Sequence, residues 1–350
     1  MKKAIASTLL AALIVRLAVL AGAGEALGAW VREIGVDERM VAAALNMELG
    51  SAPEQTAGEE TEAEDGPEAP EPTTQLMVVT PRARSEEAES RGETTEAAAV
   101  ETVGTTLSGA SAVHNRAGVD IDIDALAAEG LELRLAAGQP QVLIIHTHSS
   151  EAYTQDEYDQ YEPSDPYRTE DKSRSVIRVG DVLTERFEAA GLTVLHDREL
   201  YDYPSYTGSY SRSGAAVEQY LADYPSIQIV IDLHRDAIGS GDVVYKTQAA
   251  LSGKDSAQVM LLVGTGQNGL WHPLWKENLK LALYMQNAMD DRWPTLARPI
   301  EPVGERYNQH LSTGFVLLEV GSTGNTLREA EEAVALLGDS VGPALAKLIE

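Results

Sequence analysis

Residues 142–151 read Val-Leu-Ile-Ile-His-Thr-His-Ser-Ser-Glu, an apolar run that ends in two histidines with a carboxylate three positions past the second. An imidazole and a carboxylate at that spacing can share one metal ion, and a hydrolytic zinc site needs three protein ligands plus a water. Residues 227–237, Ile-Gln-Ile-Val-Ile-Asp-Leu-His-Arg-Asp-Ala, form a second apolar run ending at His234. Residues 315–321, Phe-Val-Leu-Leu-Glu-Val-Gly, carry Glu319 near the end of a third. Short β-branched runs of this kind predict buried strands, and ligands collect at the carboxyl ends of strands in open α/β sheets. The reading is a zinc ion held by His148, Glu151 and His234. Glu319 is the general base that takes a proton from the water and hands it to a leaving nitrogen. His146 alternates with His148 on an extended strand, so either could be the ligand. His148 is favoured because it lies nearer the strand end and has Glu151 three residues on. His146 is then expected to orient a ligand or contact substrate.

Four ordered motifs carry a resemblance. They are His146-Thr-His-Ser-Ser-Glu-Ala-Tyr153, Asp232-Leu-His-Arg-Asp-Ala237, Arg306-Tyr-Asn-Gln-His-Leu-Ser312 and Leu318-Glu-Val-Gly-Ser-Thr-Gly-Asn-Thr326. Over about residues 138–350 the chain resembles the stage II sporulation protein P family, peptidoglycan hydrolases of endospore-forming bacteria. The resemblance implies an N-acetylmuramoyl-L-alanine amidase with an additional endopeptidase activity, related in fold to the zinc-dependent amidase-3 group. That group's zinc ligands and catalytic glutamate map onto His148, Glu151, His234 and Glu319. In the wider group the glutamate ligand lies farther downstream, which makes Glu170 a competitor to Glu151. His310 stands where the family commonly has an acidic residue.

The resemblance also implies septal wall thinning and engulfment during sporulation, with stage II sporulation proteins D (a lytic transglycosylase) and M (a membrane protein) as partners. Among the motif residues, Arg235 is expected to bind a stem-peptide carboxylate or to pair with Asp236. Asn308 and Gln309 are expected to bond a peptide or lactyl group, Asn325 to cap the following helix, and Tyr153 to serve as a substrate platform or as packing. His114, His196 and His272 read as surface residues. A zinc carboxypeptidase or deacetylase, and a wall-binding module without catalysis, are the alternative readings.

These residues need a scaffold, and the chain supplies one unevenly. It has 350 residues, no cysteine and a net charge of −28. Without cysteine there is neither a disulfide framework nor a thiol nucleophile. The acidic balance argues against nucleic acid as a partner, since that binding rests on basic surface. Lys2 and Lys3 precede an apolar stretch from 4 to 24 interrupted by Arg16. Residues 1–28 are therefore expected to be a membrane anchor or signal. An anchor would leave the lysines cytoplasmic and the catalytic part outside the cell membrane as a single-pass protein. Residues 29–49 read as a membrane-proximal amphipathic helix. Residues 50–115 read as an acidic disordered linker that gives the enzyme reach.

The catalytic domain is expected over 116–350. Helical segments are read at 173–190, 214–224, 271–289 and 326–349, and strands at 192–196, 243–250 and 257–263, beside the three that carry the site. Strands alternating with helices predict a three-layer α/β/α fold with a largely parallel sheet. No internal repeat, P-loop or dinucleotide fingerprint is present.

Overall fold

The computed structural model describes residues 101–105, 112–240 and 243–350. The expected anchor, the amphipathic helix and most of the linker lie outside the described residues. Strand β1 (Glu101–Thr105) comes first, then helix α1 (Ile123–Glu129), β2 (Val142–Ile145), α2 (Val176–Ala189), β3 (Val194–His196), α3 (Ser209–Asp223) and β4 (Ile229–Asp236). The chain continues through β5 (Gly239–Ser240), β6 (Val243–Thr247), β7 (Val259–Gly264), α4 (Trp275–Asp290) and β8 (Glu301–Val303). A 3-10 turn at Gln309–Leu311, β9 (Gly314–Ser322) and α5 (Leu327–Ala346) complete it.

Six strands form the main sheet in the order β3-β2-β4-β9-β7-β8. The first four are mutually parallel, which points their carboxyl ends to one edge. β7 runs antiparallel to β9, and β8 follows β7. The parallel expectation thus holds for the four strands on the site's side of the sheet. Strand β2 is Val-Leu-Ile-Ile, buried throughout, as a strand covered on both faces must be.

Side-chain alternation sorts the two faces. Val142, Ile144, Ile229, Ile231, Val316, Leu318 and Val320 pack into one cluster with residues of α2, α4 and α5. Leu143, Ile145, Val230 and Phe315 face the other way and meet Val217 of α3. Beyond α3 on that second face, Met260, Leu262, Val303 and Leu317 form a small strip with Tyr307 packed against it. Asp232, His234 and Glu319 continue the alternation of Val230, Phe315 and Leu317, so they stand on this lightly covered face.

The helices start where side chains can answer free amides. Ser175 caps α2 through Ile177 N–H. Thr326 caps α5 in a capping box with Glu329, the arrangement that satisfies two otherwise open donors. Asn325, expected to be the cap, sits one residue earlier and fully buried. Its amide bridges Thr247, Ser322 and Glu329 instead. Gly191, with φ of 96°, ends α2 as the glycine signal predicts.

One element falls inside the expected linker. β1 pairs in parallel with β6 from Glu101↔Val243 to Thr105↔Thr247, so order reaches back before residue 116. Val113 also bridges Ile300.

Thr326→Ala removes the α5 cap and should cost about 1 kcal/mol. Urea titration would show this as a lower midpoint at unchanged slope. A variant as stable as the parent would mean that Glu329, through Asn325 and Lys246, holds that turn alone.

Candidate active site

The loop after β2 delivers the first two site residues. β2 stops at Ile145, so His146 and His148 lie past the strand and strand alternation does not set their directions. A tight turn does: the Glu151 amide donates to the His148 carbonyl at 3.0 Å, which brings the carboxylate back beside its histidine. The loop is pinned from below by Asp232 of β4, which accepts from Thr147 N–H at 2.8 Å and Thr147 Oγ1 at 2.6 Å. It is pinned from the side by Asp202, which accepts from Ser150 N–H at 3.0 Å and Ser150 Oγ at 2.7 Å.

His148, Glu151 and His234 converge. One donor atom from each lies within 4.8 Å of the others. Glu151 Oε1 is 3.6 Å from His148 Nδ1, and its Oε2 is 3.5 Å from His234 Nδ1. The imidazoles stand edge to face, 5.1 Å apart at 78°. All three residues are buried. His148 Nε2 is buried without a hydrogen-bond partner. His234 Nε2 lies 2.9 Å from Asp232 Oδ1, but off the direction a ring N–H bond requires, so the contact is one of charge. Two imidazole nitrogens and a carboxylate oxygen, all within 4.8 Å of one another, suit a zinc ion. Asp232 beside His234 is the kind of carboxylate that orients a ligating histidine.

Glu319 stands opposite His234 in the β4–β9 register. Its Oε2 is buried with no partner. Burial, with Asp236 and Glu151 nearby, pushes its pKa up to about 8. Burial works the same way on Glu151, yet Arg235, His148 and His234 hold that carboxyl well below the usual range. Burial opposes charge on His234, but Asp232 and Glu151 overcome it and raise its pKa well above the ordinary value.

The remaining expected residues fall in different places. Glu170 is exposed, outside this cluster. His146 is completely buried. Its Nδ1 contacts the Leu233 carbonyl at 2.8 Å and its Nε2 the His196 Nε2 at 2.8 Å. Both ring nitrogens are engaged away from the site opening, so the ring braces β2 against β4 rather than meeting a substrate. Arg235 is buried too. Its guanidinium donates to the carbonyls of Ala152 at 2.9 Å and Tyr167 at 3.2 Å, and its own amide donates to Glu151 Oε2 at 3.2 Å. Asp236 pairs instead with Arg298 at 2.6 Å. Asn308 has left-handed backbone geometry and donates to the Tyr210 carbonyl at 2.8 Å and Ser213 Oγ at 3.3 Å. Gln309 binds the β7 backbone at Gly264 and Leu262. Tyr153 is core, with its hydroxyl on the Val320 carbonyl.

His114 is exposed as expected, whereas His196 and His272 are covered. The partners that cover them come from distant segments, which is why isolated context makes them read as surface.

Several residues at the site belong to none of the four motifs. Tyr206 lies 4.5 Å from the His148 ring and Tyr210 lies 5.4 Å from it. Arg168 stacks over Tyr206 at 5.0 Å and reaches Asp202 at 2.5 Å and Glu151 at 3.4 Å. Residues 201–210 are visibly rich in tyrosine; which of those rings meets the histidine is not readable from their order.

In the metal-free protein both Glu319 and His234 keep a proton that the unfolded chain, titrating at roughly 4.3 and 6.5, gives up. The stability each contributes is complete below the unfolded value and is lost as pH climbs toward the folded one. Metal-free protein should therefore lose stability as pH rises through the pKa of Glu319 at about 8, and the fall should be smaller in Glu319→Gln. Urea melts at stepped pH would check this, and an identical fall in both proteins would remove Glu319 from the account. Zinc binding should expel protons over the same range. Calorimetry in buffers of different ionisation heat would read that release, and heats independent of buffer would contradict it.

The family model for stage II sporulation protein P matches residues 33–342. The stage II sporulation protein P of Bacillus subtilis (strain 168) is 28% identical over 209 residues, which is 57% of this chain and 49% of that protein. The chain thus spans about half the length of the curated relative it matches. Among solved structures, the CwlD amidase from Clostridioides difficile in complex with the GerS lipoprotein is similar at a TM-score of 0.37 and 13% identity, covering 59% of this chain and 99% of that one. The N-acetylmuramyl-L-alanine amidase Ami1 from Mycobacterium smegmatis gives 0.36 and 13%, covering 61% and 98%. Likenesses this distant carry no argument about chemistry.

Proposed function

The chain belongs to the stage II sporulation protein P family, and from that premise we propose that it is a zinc-dependent peptidoglycan hydrolase. Its reaction is N-acetylmuramoyl-L-alanine amidase cleavage of the amide joining the lactyl group of muramic acid to L-alanine, with peptide cross-links as a further target. The observation that carries the reading is the convergence of His148, Glu151 and His234 at the strand ends with Glu319 directly across the register from His234.

His148, Glu151 and His234 would hold the metal. Zinc bound there supplies a Lewis acid for the scissile carbonyl and lowers the pKa of water toward 7. The protein's own part is proton transfer and order. Glu319 Oε2 accepts the proton of the attacking water and returns it to the departing amide nitrogen. A carboxylate whose pKa sits near the working pH is suited to both halves of that transfer, and nearby positive charge would bring Glu319 down from about 8. Asp232 holds His234 in orientation. Arg235 and Arg168 steady Glu151, and Tyr206 and Tyr210 wall the His148 side. Removal of the stem peptide from the glycan breaks the C–N bond, with the water oxygen passing to the lactyl carbonyl and the proton to nitrogen.

The sequence supports the wider setting we propose. An N-terminal single-pass anchor would hold the catalytic domain outside the cell membrane, facing septal wall. There the hydrolase would act in thinning and engulfment with stage II sporulation proteins D and M.

Purified full-length protein is incubated with peptidoglycan with chelator and with zinc restored, and products are read by mass spectrometry. Stem peptides freed from glycan, lost on chelation and recovered with zinc, are expected. Glu319→Gln should lower the rate by about 10²–10⁴-fold while still binding one zinc. Cleavage that survives chelation, or an unimpaired Glu319→Gln, would overturn the assignment.

A further inference from the structure

The loop between β3 and α3 carries Tyr201, Tyr203 and Tyr206, and the proposed proton transfer needs none of them. Tyr201 is explained by its own contacts, since its hydroxyl donates to Asp197 at 2.7 Å. Tyr206 is not. Its ring is tilted 38° to the His148 imidazole with the ring centres 4.5 Å apart, yet the residue is 46% exposed. Single exposed aromatics are ordinary on protein surfaces. This one stands out because it touches a buried triad residue and because the loop beneath it is firmly tied.

The ties come from both ends. Arg212, on α3, donates to the carbonyls of Tyr201 at 2.7 Å, Ser205 at 2.5 Å and Thr207 at 3.0 Å. The Tyr201 amide donates to Ser149 Oγ at 2.8 Å, and Asp202 is bound to Ser150. The Tyr206 carbonyl itself accepts from the Ser209 amide at 3.2 Å. The ring is held as well, with the Arg168 guanidinium 5.0 Å from its centre. Loop and ring are thus in place before a substrate arrives. A contact made by a group already ordered loses little entropy on binding.

Position decides what that contact is. A ring 4.5 Å from His148 meets only what lies next to the cleaved amide. In the proposed substrate that is the alanine methyl on one side, and the lactyl group with the muramic acid ring on the other. A methyl group is too small to cover the open part of a phenol. A pyranose presents a broad C–H surface that packs on an aromatic ring, and its polar substituents can meet the tyrosine hydroxyl at the rim. Charge agrees. Arg168 is already paired with Glu151 and Asp202, so its charge is not open to a stem-peptide carboxylate, and the spot suits an uncharged sugar.

We infer that Tyr206 is a specificity-determining residue whose exposed ring packs against the pyranose of the muramic acid that carries the cleaved amide. The inference rests on the peptidoglycan reading and deepens it, because it names what recognises the glycan side of the bond.

The test uses full-length zinc-loaded protein and two substrates with the same stem peptide, one bearing N-acetylmuramic acid and the other only its lactyl group. Wild type should favour the muramyl peptide by about tenfold in kcat/KM, expressed in KM, the scale of one aromatic anchor. Tyr206→Ala should bring that ratio close to one with zinc content unchanged, and Tyr206→Phe, which keeps the ring, should preserve most of it. Tyr224→Ala is the control: that ring is 41% exposed at the far end of α3, and its loss should leave the ratio alone. A ratio that Tyr206→Ala does not change would overturn the inference. So would an equal fall for both substrates or a loss of zinc, since either would make the ring a support for His148. A second readout needs no hydrolysis. Calorimetric titration of Glu319→Gln protein should show the muramyl peptide binding about tenfold more tightly than the lactyl peptide, with the difference abolished by adding Tyr206→Ala; equal binding refutes the contact. Should wild type cleave neither substrate, the hydrolase reading falls, and the calorimetric ratio still judges Tyr206.

Discussion

Asp232 is a carboxylate with no solvent exposure in the middle of a six-stranded sheet, and most of the site's geometry is what it takes to keep it charged. An unpaired buried charge is costly enough that a group would rather stay neutral. Burial pushes in that direction, yet His234 and two donors from Thr147 hold the Asp232 carboxyl below its usual value. Those same partners set the surrounding geometry. Thr147 belongs to the loop after β2, so satisfying Asp232 fixes the loop that presents His148 and Glu151. His234 sits two residues along the same strand face, so its ring is fixed as well. One buried charge thereby aligns all three triad residues, and breaking the Thr147 contacts would loosen two of them together.

The sheet's two faces explain why the site opens where it does. Three long helices, α2, α4 and α5, cover one face completely. The other carries α3 over its parallel half and only Tyr307 with a small apolar strip over the rest. A polar cluster of Asp232, His234 and Glu319 could not stand on the fully covered face without further partners. On the lighter face it borders loops that bring Tyr206, Tyr210 and Arg168. The β4–β9 register also shifts just past His234. Irregularities of that kind re-aim side chains beside functional sites. Here the shift falls between His234 and the Asp236–Arg298 pair.

The site is more legible in the sequence than the scaffold around it. Apolar runs ending in His or Glu name both the element and the chemistry at its end, so His148, Glu151, His234 and Glu319 stand out from residue order alone. The choice between Glu151 and Glu170 is not readable there, because it turns on a tight turn that folds Glu151 back onto His148. The paired His146 and His148 mislead for a related reason: strand alternation has no hold past Ile145, where the strand has already ended. Direction is another property that pattern does not encode. The β7 run Val-Met-Leu-Leu-Val-Gly looks the same whether it runs with β9 or against it. β1 is hidden by composition, because a short strand at the edge of an acidic, Thr-rich tract finds its partner in β6, far along the chain. The arginines show the limit most plainly. Arg235 follows the triad histidine and reads as a substrate ligand, but its guanidinium is consumed by backbone carbonyls. Arg168, in no motif, reaches the site through tertiary packing alone.

The distribution of positive charge among the carboxylates divides their labour. Of the acidic side chains named at this end of the sheet, all but one lie within ion-pair distance of a cation or an imidazole. Glu151 has Arg168, Arg235 and both histidines; Asp202 has Arg168; Asp236 has Arg298; Asp232 has His234. Glu319 is the exception, with one oxygen buried and unpartnered, and its pKa is the one driven up. Neighbouring carboxylates whose environments push their pKa values apart take opposite roles. The depressed one, Glu151, stays ionised and is suited to hold a cation. The raised one can take up and release a proton near neutrality, and it lies directly across from His234. A glutamate at position 319 with its own arginine would be a better-satisfied structural residue and a poorer base. Among the described residues no ion pair forms on Glu319, while each carboxylate around it has one, and that asymmetry is what the proposed chemistry requires.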